Sequence, residues 1–284
     1  MKTTEIKVTE LFIYPLKSAR PVALKKMSIV DTGPQYDRQW MLITAEGEFV
    51  SQRTFPQMCM IGQQVSQDSL QFSASGFSDL KVPLDLTEGE KTDCQIFADT
   101  TAGTHLSKEF DAWFSEVLKT PVQLVRVPTN NSRTTPAKYD STLTPVSFAD
   151  AFPFLLASHE TLDELNSKLS SPVPMNRFRP NIVVQGAPAG EEDNWGQFTI
   201  GNVEFSGIKD CSRCSIITVD QSSGEKDNSP MTTLMKYRKR NNKVVFGQNL
   251  IHHCQHPGEY RYLACRHPPS QRILSSSPCS MTIL

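Results

Sequence analysis

No run of residues in this chain is apolar for long enough to cross a bilayer, which takes about 20 in a helix. Its first residues, Met1-Lys2-Thr3-Thr4-Glu5, lack the apolar core of a secretory signal. Both absences set the expectation of a cytoplasmic protein without membrane contact. An excess of either charge is missing too: 29 lysines and arginines stand against 30 aspartates and glutamates, a formal net charge of −1. Bulk electrostatics therefore does not favour a nucleic-acid polymer as partner. A disulfide framework also lacks its usual signs. The seven cysteines are an odd number scattered through a chain able to build its own core, so reduced thiols are expected. What is left, 284 residues at 38% hydrophobic and 21% charged, describes one large or two modest globular domains.

The most informative stretch present is Cys211-Ser212-Arg213-Cys214. Cys214 opens the apolar run Ile216-Ile217-Thr218-Val219, which reads as a buried strand ending at Asp220. Arg213 next to it, with Asn176-Arg177-Phe178-Arg179-Pro180-Asn181 if that segment folds nearby, would favour a thiolate and hold an anion beside the sulfur. The same spacing could be half of a zinc site, but no second ligand pair lies at a suitable distance. A thioredoxin-like pair would open a helix after a strand, whereas this one precedes a strand in the reading above.

Period-two patterning makes the first hundred residues β-rich. Strands are expected at Glu5 to Tyr14, Met27 to Val30 and Trp40 to Ile43, then near Met58, Leu70 and Cys94. Leu106, Phe110, Trp113, Phe114 and Val117 fall at helical spacing and predict one amphipathic helix, followed by a strand at Val122 to Val127. The polar stretch Pro128 to Ser141 has no apolar periodicity and is taken as the domain boundary. Beyond it, Ser158 is expected to cap a helix bearing Leu162, Leu165 and Leu169. Strands are expected at Asn181 to Val184, Phe198 to Ile200, Val203 to Phe205, Ser215 to Val219 and Lys243 to Phe246, with a helix from Met231 to Arg240.

Five ordered motifs, Tyr14-Pro15-Leu16-Lys17-Ser18, Asp37-Arg38-Gln39-Trp40, Phe178-Arg179-Pro180-Asn181, Cys211-Ser212-Arg213-Cys214 and Phe246-Gly247-Gln248-Asn249, together resemble the MOSC family. The nearest branches are the YcbX-type bacterial proteins and the mitochondrial amidoxime-reducing component. The resemblance spans roughly residues 6–260 and implies a mainly β, α+β chain. An N-terminal MOSC β-barrel domain (1–127) would pack on a MOSC-domain β-barrel with a few short helices (128–260), ahead of an atypical tail (261–284).

The resemblance further implies the molybdenum cofactor, molybdopterin, in a cleft between the two parts. Cys214 is then the metal ligand and catalytic residue, and Lys17, Ser18, Arg38, Asp150, Arg179, Asn181, Ser212 and Arg213 bind the cofactor. Hydroxyl residues that family members place after the aspartate are replaced here by Ala151 and Phe152. The implied activity is reduction of N-hydroxylated small molecules: hydroxylamines, amidoximes or N-hydroxylated bases. Pyridoxal phosphate and an iron–sulfur cluster are not expected in this chain, which has no Cys-x4-Cys-x2-Cys run. Electrons would come from a separate donor protein, a ferredoxin, cytochrome or flavoprotein reductase. Two alternatives stay open: a sulfur carrier holding a persulfide on Cys214 for delivery to a metal or cofactor, and a cofactor-binding module without turnover.

Taken singly, Lys17 and Arg38 would be surface cations and Asp150 a turn cap, and only their motifs raise them. Cys59 and Cys94 read as small core residues. His252, His253, His256 and Cys254 resemble a metal cluster, but they stand at the start of an odd tail and are not expected to bind physiologically. After Gly258-Glu259-Tyr260 the final strand of the family pattern breaks away at Arg261, as a shifted frame or divergent end would make it. Residues 264–284 are expected to pack poorly, with Ser275-Ser276-Ser277-Pro278 in coil.

Overall fold

The first strand of the computed structural model, Lys7–Ile13, pairs antiparallel on one edge with its near neighbour Val22–Leu24 and on the other with the distant Ile182–Gln185, Lys7 facing Gln185. The model describes residues 5–253, 261–264 and 280–283. Val8 and Leu11 both enter the core although three apart, which period two forbids. A register shift between Val8 and Glu10 absorbs the extra residue.

That pairing sits in a mixed sheet whose central order runs Val203–Ser212, Lys243–His253, Phe154–Ser158, Ile182–Gln185, Lys7–Ile13, Val22–Leu24. The N-terminal strands thus complete the sheet of the second half. A separate four-stranded sheet orders Trp40–Ile43, Gln123–Arg126, Asp99–His105 and Glu90–Ile96. Two three-stranded sheets accompany it, and none of the sheets closes on itself among the described residues. The chain is mostly β with three α-helices described, as expected, but the barrels of the sequence reading are open sheets here.

Helix Lys108–Leu118 flanks the four-stranded sheet and buries Phe110, Phe114 and Leu118. Ser107 caps it by accepting from the Glu109 amide, and Lys119 ends it in the left-handed conformation. Ser158 caps helix His159–Asn166 in the same way, through the Thr161 amide, and Leu162 and Leu165 face the core. Leu169 lies beyond that helix. The third helix, Ser229–Tyr237, starts two residues before the expected point, with Pro230 in its first turn.

Two expected strands are short 3-10 helices instead. Pro56 starts one over Pro56–Met60, which takes Met58 and Cys59 into the core. The other is Ser215–Thr218. Its Thr218 hydroxyl donates to the Ser215 carbonyl at 2.7 Å, a local bond that competes with strand pairing. Its turn sends Ile217 into the cluster that holds Phe178 and Phe246.

The expected break at Arg261 is not found. Arg261–Ala264 is a strand paired with Lys26–Val30, and Leu263 is buried in the main core. Ser280–Ile283 pairs in parallel with Gln197–Ile200, so the end of the expected loose tail also has strand backbone. The coil expected at 275–278 lies outside the described residues, as do Cys254 and His256. His252 instead donates to the Val30 carbonyl at 3.0 Å, and His253 meets the Ser206 hydroxyl at 2.7 Å.

Candidate functional site

The site is built on what buried polar groups demand. Asp37 is almost fully buried, and a carboxylate there needs donors on all sides. It accepts from the Tyr14 amide at 2.9 Å, from Asn181 Nδ2 at 3.1 Å and from the Arg38 guanidinium. Burial raises the Asp37 pKa, against the pull of Arg38 and the other donors. Arg38 reaches on to Asn181 Oδ1 at 3.0 Å and the Arg179 carbonyl at 3.4 Å. One carboxylate therefore joins the Tyr14, Asp37-Arg38 and Arg179-Asn181 motifs.

Tyr14 has two cations on its ring: the guanidinium carbons of Arg38 and Arg179 lie 4.3 and 4.2 Å from its centroid. Its hydroxyl donates to the Pro180 carbonyl at 3.0 Å, and burial pushes its pKa up to about 12. Arg179 donates to the Ala19 carbonyl at 2.9 Å. Burial, with Arg38 close by, lowers its pKa to about 10. Ser18, Arg38 and Arg179 all have positive φ, at 72°, 48° and 56°. Strain of this kind persists only where the surroundings over-determine the backbone.

Lys17 donates to Asp150 and to the Phe148 carbonyl. Burial lowers the Lys17 pKa in opposition to Asp150. For Asp150, the Lys17 ammonium, helped by Arg53 and Arg38, brings the pKa down to about 2.

The sulfur side is made differently. Strand Val203–Ser212 ends at Ser212, and Cys214 stands just before the Ser215–Thr218 turn, at a strand end rather than at a strand start. Arg177 holds that turn from behind, through the Thr218 carbonyl at 3.1 Å and Asp220 at 2.9 Å. Arg213 does not address Cys214 by hydrogen bond. It donates to Cys211 Sγ at 3.0 Å and to the Phe178 carbonyl at 2.8 Å.

Every residue expected at the site, Lys17, Ser18, Arg38, Asp150, Arg179, Asn181, Ser212, Arg213 and Cys214, borders one open cleft with about 780 Å3 of empty space including its mouth. Cys211, Phe49, Arg53, Phe152 and Asn249 also line it. Of residues 53–58 only Arg53 borders it, and the loop at 222–229 does not. Asp37, Tyr14 and Phe49 were missed as site residues. Asp37 and Tyr14 stand inside quoted motifs, and a carboxylate next to Arg38 was the available signal.

The donor set suits an anionic ligand with a soft metal. Lys17, Arg38, Arg53, Arg179 and Arg213 face only Asp37 and Asp150, and among the described residues Arg179 and Arg213 have no carboxylate partner. The Nε of Arg213 is buried without a hydrogen-bond partner. Two thiols, Cys211 and Cys214, are free on the same cleft. Among the described residues no cluster of His, Cys, Asp and Glu is arranged to hold a metal by itself.

Residues 5–121 match the model of the MOSC N-terminal beta barrel domain, and residues 144–262 that of the MOSC domain. Mitochondrial amidoxime reducing component 2 of Bos taurus is 34% identical over 245 residues, covering 81% of this chain and 72% of the bovine one. Human mitochondrial amidoxime-reducing component 1 is 31% identical over 242 residues, with 82% and 72% covered. Molybdenum cofactor sulfurase of Oryza sativa subsp. japonica is 29% identical over 296 residues, covering 93% of this chain but 34% of that protein. No helix among the described residues is long and apolar enough to cross a membrane.

Proposed function

The chain belongs to the MOSC family, and from that premise we propose that it is a molybdenum-cofactor-dependent oxidoreductase that reduces N-hydroxylated compounds: hydroxylamines, amidoximes or N-hydroxylated bases. The observation that carries this reading is the convergence of the cations and Cys214 on one cleft. The amidoxime-reducing names of the bovine and human relatives support the substrate class. When bound, the cofactor supplies a thiophilic metal centre able to pass two electrons.

The chain's own residues do the rest. Cys214 offers a sulfur ligand, the soft donor such a metal prefers. Arg179 and Arg213, the cations without a carboxylate, bind the cofactor's phosphate with fixed guanidinium geometry. Arg38 and Asn181, already locked to Asp37, orient their neighbours, with Ser18 and Ser212 adding hydroxyl donors. Asp150, kept ionised beside Lys17, accepts from pterin N–H groups. Phe49 and Phe152 form apolar cleft wall that limits water. Electrons arrive from a separate donor protein, in a reducing cytoplasmic setting that keeps the thiols free.

Metal and pterin analysis tests this on protein made in cofactor-competent cells, wild type beside Cys214→Ser. Molybdenum and pterin near one per wild-type chain, with molybdenum lost from the variant, support the reading. Loaded protein is then given an artificial reductant and benzamidoxime. Failure to form benzamidine there, and failure on hydroxylamine, would remove the reductase assignment. The sulfurase similarity favours one second reading, a persulfide carrier on Cys214. Sulfane sulfur on Cys214 in folded protein without molybdenum would select it.

A further inference from the structure

The hairpin of Glu90–Ile96 and Asp99–His105 turns through Phe97-Ala98. Phe97 has φ 57°. Two-residue hairpin turns that need positive φ favour Gly, Asn or Asp, and a bulky residue there is strained. The same side chain is 49% exposed, among the most exposed large apolar groups described. An asparagine would satisfy the turn better and water better, so neither the turn nor solubility accounts for a phenyl ring at this point.

Its neighbours do. The Phe97 ring meets Phe49 edge to face, with centroids 5.1 Å apart and planes at 67°. The Arg53 guanidinium carbon lies 4.7 Å from the Phe97 centroid and 5.5 Å from that of Phe49. Phe49 and Arg53 both border the cleft, and Arg53 Nη2 stands 3.9 Å from Asp150. The backbone fixes the arrangement: the Phe49 amide donates to the Gln95 carbonyl at 3.2 Å, and the Gln95 amide to the Gly47 carbonyl at 2.8 Å. The hairpin tip is thereby tied to the segment that carries Phe49. Phe97 itself does not line the cleft but packs on Phe49, which does, and Arg53 stiffens the pair by lying over both rings.

We infer that Phe97, through its contact with Phe49 and Arg53, is a specificity-determining residue that favours N-hydroxylated substrates bearing a flat aromatic or heteroaromatic group over small aliphatic ones. The inference rests on the reductase reading for the identity of the ligand, and on the wall itself for the preference. A planar ring entering the cleft can pack against Phe49, whose pose Phe97 and Arg53 fix, with the offset or edge-on geometry that aromatic pairs prefer. A methyl-sized group offers no ring face or edge for that contact.

The test uses cofactor-loaded protein without reductant, so that binding is read apart from turnover. Calorimetric titration compares benzamidoxime with acetamidoxime on wild type, Phe97→Asn and Phe97→Tyr, and thermal unfolding is followed for each. Asparagine suits the positive φ, so Phe97→Asn is expected to keep or raise the unfolding temperature. It weakens benzamidoxime binding by roughly three- to tenfold, the loss of one aromatic contact, and changes acetamidoxime by less than about twofold. Phe97→Tyr retains the wild-type preference. Equal loss for both ligands, unchanged benzamidoxime binding in Phe97→Asn, absent benzamidoxime binding in wild type, or a clear drop in its unfolding temperature would each overturn the inference. An aromatic preference in binding with no reduction once electrons are supplied would instead remove the reductase reading and leave the wall standing.

Discussion

The two walls of the cleft are built on opposite plans. On one, Arg38, Arg179 and Asn181 border the cleft, are bonded to each other and to the buried Tyr14 and Asp37 behind them, and are held in left-handed backbone at both arginines. On the other, Cys211 and Cys214 stand partly exposed at the end of a long strand, and among the described residues the Cys214 thiol has no hydrogen bond. The contrast separates two tasks. Fixed cations cost their desolvation once, at folding, and then receive an anion without rearranging. A sulfur that is to bond a metal gains from being left without other partners.

Breaking the first wall is expected to have the largest effect. Asp37→Ala leaves Arg38, 15% exposed at its side chain, without its carboxylate, a change of about 3 kcal/mol. At a few degrees per kcal/mol for a chain of this size, the unfolding temperature falls by roughly 10 °C. A fall of under about 2 °C would mean that the network is not what holds this wall. Tyr14→Phe keeps the ring between the two guanidiniums and removes only the hydrogen bond to Pro180. Chemical denaturation should show about 1 kcal/mol of loss, with cofactor retention unchanged.

The Lys17–Asp150 pair sharpens the comparison, because Asp150 is 59% exposed at its side chain and belongs to neither extreme. Its folded-state pKa lies below the ordinary carboxylate value. The stability it contributes is therefore complete above about pH 4 and is lost as the pH falls towards about 2. Exposure keeps that contribution under about 1 kcal/mol. Melting curves of wild type and Asp150→Asn should converge on acidification through this window, and a gap that widens would reverse the assignment. The smallest effect on stability is expected from Cys214→Ser, within about 0.5 kcal/mol for a partly exposed site, although the same variant should no longer retain molybdenum. A large destabilisation there would show that the second wall is as structural as the first.

Much of the site was legible because its residues lie in short motifs whose order along the chain is itself informative. Lys17, Arg38, Asp150, Arg179, Asn181 and Cys214 are all found on one cleft. What was not legible is where each side chain spends its bonds. Nothing in the spacing says that Arg213 serves Cys211 rather than Cys214, or that Arg177 turns away from the cleft to brace the Ser215–Thr218 turn. That turn was read as a strand because Ile216, Ile217 and Val219 are β-branched, but burial of Ile217 with Phe178 and Phe246 outweighed local propensity. Helices announced themselves better, since Ser107 and Ser158 are capping residues set directly before amphipathic runs. The strand at Arg261–Ala264 was missed because the partner that stabilises it, Lys26–Val30, lies far away in sequence.

The pairing of Lys7–Ile13 with Ile182–Gln185 also sets a schedule for synthesis. A ribosome adds roughly 5–20 residues per second, so the first strand waits on the order of 10–40 s before its partner, about 180 residues later, has been made. Tyr14, Asp37 and Arg38 are translated long before Arg179 and Asn181, and the buried network that joins them forms only when the second half has emerged. Until then the first strand, paired on one side with Val22–Leu24, carries an open edge on the other next to the cations of an unfinished site, and this interval is when that edge is most exposed to wrong partners.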